Sequence, residues 1–91
     1  VQRLQPAVKA PGEAREDWQI IQSIANAMGS DWQYHSVADI TREINQLTPQ
    51  YAGITWERVG PDGLQWPCPH EDHPGTRVLH QDTFVRGKAE M

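Results

Sequence analysis

Residues 51–76 read YAGITWERVGPDGLQWPCPHEDHPGT, and they decide what kind of fold this chain can have. The stretch holds two of the four Trp, the single Cys, two of the four His and four of the seven Pro. Proline removes a backbone donor and fixes φ, so Pro61, Pro67, Pro69 and Pro74 argue against a helix or a central strand here. Trp56, Leu64 and Trp66 are nonetheless large apolar groups that favour burial. The combination predicts a long, specific loop whose rings pack against something, and 91 residues are short of material to cover them all. A brief helical turn is expected over 54–59 with Thr55 as its cap. The Pro61-Asp62-Gly63 run is turn chemistry, and 64–66 reads as a short extended piece.

Working outward, the upstream half changes character. Residues 14–28, AREDWQIIQSIANAM, repeat apolar groups at helical steps: Trp18, Ile21, Ile24 or Ala25, and Met28, with Ile20 and Ala27 widening the face. Glu16 and Asp17 suit the positive end of a helix dipole, and Gly29 fits the residue just past its C-terminus. Residues 30–35 form a connector. Ser36 then reads as an N-cap, with Asp39 three residues on in the manner of a capping box, though Glu is the usual partner there. Val37, Ile40, Ile44 and Leu47 continue with helical spacing until Pro49 stops the run. Trp18, Ile21, Ile24, Ile40, Ile44 and Leu47 are expected to lie between the two helices as an αα pair. Residues 77–86 have the best β character of the chain, with imperfect alternation, and are read as a weak strand or extended tail.

The expected fold class is therefore mainly α: two amphipathic helices packed together, a long irregular C-terminal segment, and at most a short strand or hairpin. The expected organisation is an extended lead-in over 1–13, a helical pair over 14–48, and an aromatic- and Pro-rich connector over 49–91.

Composition narrows the function. Twelve acids against eight bases give a net charge of −4 with no basic stripe, which argues against nucleic-acid binding. No apolar run approaches the ~20 residues of a membrane span. The hydrophobic share is 37% with one Phe, a thin core for a chain this small. One Cys makes an internal disulfide impossible.

Cys68, His70 and His73 are the candidates for a metal site. Thiolate and imidazole suit zinc, but C-x-H-x₂-H is too tight, lacks a fourth dependable ligand, and is stiffened by Pro69 and Pro74. The structural reading, a loop with Cys68 as a small, partly buried apolar group, is the stronger. A nucleophilic Cys68 is disfavoured too, since Glu71 and Asp72 crowd it with negative charge. The run 73–76, HPGT, reads as a tight turn and not a phosphate cradle, because Pro74 removes a donor. Glu57 and Arg58 read as part of a solvated face. No residue is assigned a catalytic or cofactor-binding role.

YAGITWERVGPDGLQWPCP followed by HEDHPGT resembles the late part of the catalytic α subunit of molybdopterin-dependent formate dehydrogenases. The upstream PGEAREDWQIIQSIANAMG is similar to the helix preceding that segment, and the likeness runs from about Val8 to Ala89. The resemblance implies that the chain is a piece of a large oxidoreductase, lying ahead of its C-terminal cofactor-binding domain and not itself catalytic. It implies a parent that oxidises formate to carbon dioxide with bis-molybdopterin guanine dinucleotide carrying Mo or W, and a 4Fe-4S cluster. Implied partners are the remaining domains of that subunit and its electron-transfer subunits. A cytoplasmic location is the expectation, with the periplasm as the alternative. The competing reading is a small independent zinc-binding or protein-interaction module.

Overall fold

A computed structural model describes residues 1–82, 84, 87 and 88 of the chain. Helix α1 spans Asp17–Ala27 and α2 spans Val37–Leu47; a 3₁₀ turn follows at Pro49–Tyr51, then the single-turn helix α3 at Trp56–Val59. Among the described residues the β structure is one isolated antiparallel bridge, Phe84 to Gly87. The mainly α class is observed. The described part of the expected β stretch, 77–82, passes through bends and turns; Thr83, Val85 and Arg86 lie outside the described residues.

Helix α1 begins later than its periodicity suggested. Glu16 occupies the N-cap without capping; its carboxylate accepts a hydrogen bond from the Trp18 indole instead. The C-terminus closes as the sequence indicates. Gly29 takes φ +100°, Ser30 N–H donates to Ala25 O at 3.0 Å, and Gly29 N–H donates to Asn26 O at 3.1 Å. Those are the two bonds of a Schellman motif, and the positive φ selects glycine.

The connector is held to α1 by amides. Asn26 Oδ1 accepts from Trp32 N–H at 2.8 Å while its Nδ2 donates to Trp32 O at 2.9 Å. Gln22 does the same for Tyr34, at 2.8 and 3.2 Å. One helical turn separates the two amides and two residues separate their extended targets, so the side chains stand in for a neighbouring strand.

Helix α2 starts as expected. The Ser36 hydroxyl accepts from Asp39 N–H at 3.3 Å. The Asp39 carboxylate accepts from the Ser36 hydroxyl at 3.1 Å and from His35 N–H at 2.9 Å. The shorter acid thus ties down the residue before the cap. Pro49 ends α2 and opens the 3₁₀ turn at its first position, where a missing donor costs nothing.

The apolar pairing of α1 with α2 is not observed. Helix α2 packs on the 3₁₀ turn and on α3 instead. Ile21 and Ile24 are each 56% exposed and Leu47 is 73% exposed. Gln22 and Asn26 hold the extended connector against one side of α1, while Ile21 and Ile24 lie on another side that stays open. The residues of α1 that turn inward are Trp18, Gln19, Gln22 and Ala25, each half-buried.

The core lies in the half without periodicity. Ile54, Val59 and Cys68 are buried, with Tyr51 and Leu64 packed against them. Asn45 of α2 reaches into this region, donating from Nδ2 to Tyr51 O at 2.6 Å and to Ile54 O at 3.0 Å. The N-terminal residues close one side. Leu64 N–H donates to Val1 O at 2.9 Å, the Val1 amine donates to Leu64 O at 2.6 Å, and the Arg3 guanidinium lies 4.3 Å over the Trp56 ring. Trp66, at 6.1 Å between ring centroids from Tyr51, precedes a cis bond to Pro67 and remains exposed on its outer side.

Candidate functional site

The loop over 67–76 is fastened to the segment over 50–60 at one point, and Cys68 is at its centre. The backbone of Cys68 makes two bonds, donating to Gln50 O at 2.8 Å and accepting from Gly53 N–H at 2.8 Å. Its side chain is fully buried. The thiol meets the carbonyls of His73 at 3.3 Å and His70 at 3.6 Å.

Arg58 completes the fastening. Its Nη1 donates to Gly53 O and lies 3.4 Å from Cys68 Sγ, and its Nη2 donates to His73 O at 2.9 Å. A guanidinium presents several donors in a rigid fork, which is why one side chain can satisfy carbonyls from two chain segments. Sequence reading placed Arg58 on a solvated face. The structure corrects this: the side chain is half-buried and turned inward. Thr55 starts α3 by accepting from Arg58 N–H at 3.4 Å, which fixes the backbone from which the guanidinium departs.

Gly53 sits where nothing larger fits. A Cβ there would run into the His70 carbonyl and stand 2.8 Å from Cys68 Sγ. The obstacle is main chain, so it cannot rotate away.

The sequence candidates Cys68, His70 and His73 are brought close, but through their main chains. The carbonyls of the two histidines face the thiol. The imidazoles stack edge to face at 5.4 Å between centroids, and His73 Nδ1 accepts from Gly75 N–H at 3.1 Å. Among the described residues no three His, Cys, Asp or Glu side chains gather as a metal ion would require. The arrangement can do one thing chemically: satisfy buried carbonyls with a thiol and a cation, and so hold an irregular loop in one shape. The 620 Å³ depression beside it is bordered by Val1, Gly63, Leu64 and Pro74, with Asp62 and Arg77 as its charged side chains.

No helix of the described residues is long and apolar enough to cross a membrane.

No family model matches the chain. Curated proteins do. The chain is 48% identical over 97% of its length to the F420-dependent formate dehydrogenase subunit alpha of Methanocaldococcus jannaschii, and covers 14% of that protein. It is 46% identical over 94% of its length to the F420-dependent formate dehydrogenase 2 subunit alpha of Methanococcus maripaludis, covering 13% of it. It is 44% identical over 88% of its length to the formate dehydrogenase 1 subunit alpha of the same organism, covering 12%. The chain thus spans about one seventh or less of the curated relatives it matches. By sequence it matches one segment of formate dehydrogenase α subunits.

Proposed function

We propose that the chain is a structural segment of a formate dehydrogenase catalytic subunit, one that takes no part in the chemistry itself. The observation that supports this is identity of 44–48% across nearly the whole chain to a segment of α subunits. On this reading the parent oxidises formate to carbon dioxide. Its equipment is Mo or W held by two molybdopterin guanine dinucleotides, with a 4Fe-4S cluster passing electrons onward to partner subunits. That centre supplies the redox chemistry when bound.

This chain does not by itself supply a ligand set for the cluster. A 4Fe-4S cluster takes about four thiolates. This chain has one Cys, and its thiol is fully buried against carbonyls and the Arg58 guanidinium. No catalytic step is therefore assigned to any residue of the segment. Its contribution is shape: Arg58, Cys68 and Gly53 fix the loop over 67–76 upon the segment over 50–60, and Asn45 ties that segment to α2.

The test is to read the gene in both directions and express the whole reading frame. Formate-dependent reduction of a viologen dye, with Mo or W found by elemental analysis, is the expected result. A product that binds neither metal and leaves formate untouched overturns the proposal.

A further inference from the structure

Four large side chains of α1 and its C-cap share one open arc. Successive helical residues turn about 100° around the axis, so Ile20, Ile24 and Met28 form a row at i, i+4 and i+8, with Ile21 beside it. Their exposures are 38%, 56%, 83% and 56% in the order Ile20, Ile24, Met28, Ile21. The exposed polar residues Ser23 and Asn26 lie off this row, and the inward side carries Trp18, Gln19, Gln22 and Ala25. Scattered exposed apolar groups are ordinary, but a contiguous row of this kind marks an interface.

We infer that this face of α1 is a seam buried against the remainder of the same catalytic subunit, not against a second copy or a separate electron-transfer subunit. The inference rests on the proposed parentage. Its own argument is one of area. Four side chains exposed by 38–83% offer on the order of 400 Å², about half of the ~800 Å² per partner found in stable complexes. A free partner must offset several kcal/mol of lost translation and rotation, which so small a patch does not do. A partner on the same polypeptide meets it at an effective concentration of about millimolar without that cost. The relatives extend far beyond this segment, which covers 12–14% of them, so such a partner has ample chain to come from. The row also has no charged side chain within it, unlike the polar rims of transient docking sites.

Hydroxyl-radical footprinting of Met28, read by peptide mass spectrometry, tests this in unmodified protein. Three samples are compared: the 91-residue chain, the isolated whole catalytic subunit, and the holoenzyme. The expected result is free modification in the 91-residue chain, and at least tenfold protection already in the isolated subunit. Protection that appears only in the holoenzyme assigns the face to another subunit and overturns the inference. Protection in the 91-residue chain, accompanied by a dimer in light scattering, assigns it to a second copy and overturns it equally. Modification of Met28 in the whole subunit as free as in the short chain shows an uncovered face and also overturns it. Formate-dependent dye reduction by the same whole-subunit sample is scored separately. An active sample with open Met28 sinks the seam alone; an inactive sample with protected Met28 sinks the proposed activity alone.

Discussion

The Arg58 guanidinium lies 3.4 Å from the Cys68 thiol, and the same fork reaches carbonyls on both sides of it, at Gly53 and His73. Ten residues of sequence separate the pair, and two prolines fall between α3 and the cysteine. A single side chain thus bridges a helical turn and a loop that share no regular hydrogen-bond ladder. Where a sheet or helix would satisfy buried carbonyls by repetition, this chain does so with one cation.

Arg58→Ala is expected to lower unfolding stability by about 2–4 kcal/mol, since charge-assisted bonds are lost and buried acceptors are left without partners. Arg58→Lys is expected to recover less than half of that, because an ammonium cannot span three acceptors in one plane. Urea unfolding followed by Trp fluorescence measures both. An alanine variant within about 0.5 kcal/mol of the parent would show that the fastening carries no weight.

Gly53→Ala makes a sharper contrast. Where space allows, replacing Gly by Ala stabilises by about 0.4–1 kcal/mol through the unfolded chain. Here the new methyl meets the His70 carbonyl and comes within 2.8 Å of Cys68 Sγ. A loss of roughly 1–3 kcal/mol is expected from the forced displacement. Alkylation of Cys68 by iodoacetamide in the native chain should quicken at the same time, because the loop that covers the thiol is the part that must shift. A variant as stable as the parent with an equally shielded thiol contradicts the packing described.

Gln22→Ala and Asn26→Ala test the amide pairing between α1 and its connector. Each removes two bonds to extended backbone, so a cost of about 1–2 kcal/mol is expected. Hydrogen exchange locates the effect. Tyr34 N–H should lose protection in the first variant and Trp32 N–H in the second, each with little change at the other site. Equal loss at both amides in either variant would mean that the connector detaches as a unit.

How much of this was legible in the sequence depends on which physics encodes it. Caps and stops are local, and Ser36, Thr55, Gly29 and Pro49 each announced an element boundary that the structure keeps. The partnering of helices is not local. Periodicity located the apolar stripe of α1 but said nothing of what would cover it, and Gln22 and Asn26 gave no apolar signal at all. Their signal was two amides one turn apart, followed by an alternating Trp-x-Tyr that could present its backbone. Arg58 was the larger miss, since a lone cation beside a glutamate looks like surface. The clue was its position in a one-turn helix leading into a Pro-broken loop, whose carbonyls had no ladder to join. Cys68 was expected to be small and partly buried; the structure buries it fully, with the Arg58 guanidinium beside it.

The N-terminus of α2 should respond to acid with a definite sign. The His35 N–H bond is the largest cause holding the Asp39 carboxyl below the usual carboxylate range, with the Arg42 side chain and the Ser36 hydroxyl adding to it. A carboxyl depressed in the folded state contributes stability above its unfolded value, about 3.9, and loses it as pH falls through the lower folded value. The Tyr34 hydroxyl donates to the Glu43 carboxylate, which raises its pKa. That contact is therefore complete at neutral pH and is lost only as strong alkali carries pH through the raised value. Carbon-13 titration of the Asp39 carboxyl should give a midpoint below ~3.9, and His35 N–H should exchange faster once that midpoint is passed. Asp39→Asn keeps an acceptor oxygen but removes the ionisation, so the difference in unfolding stability between parent and variant should shrink as acid is added. A difference that stays constant from neutral pH into strong acid would show that the carboxylate charge has no part in starting α2, leaving the Ser36 hydroxyl as its whole cap.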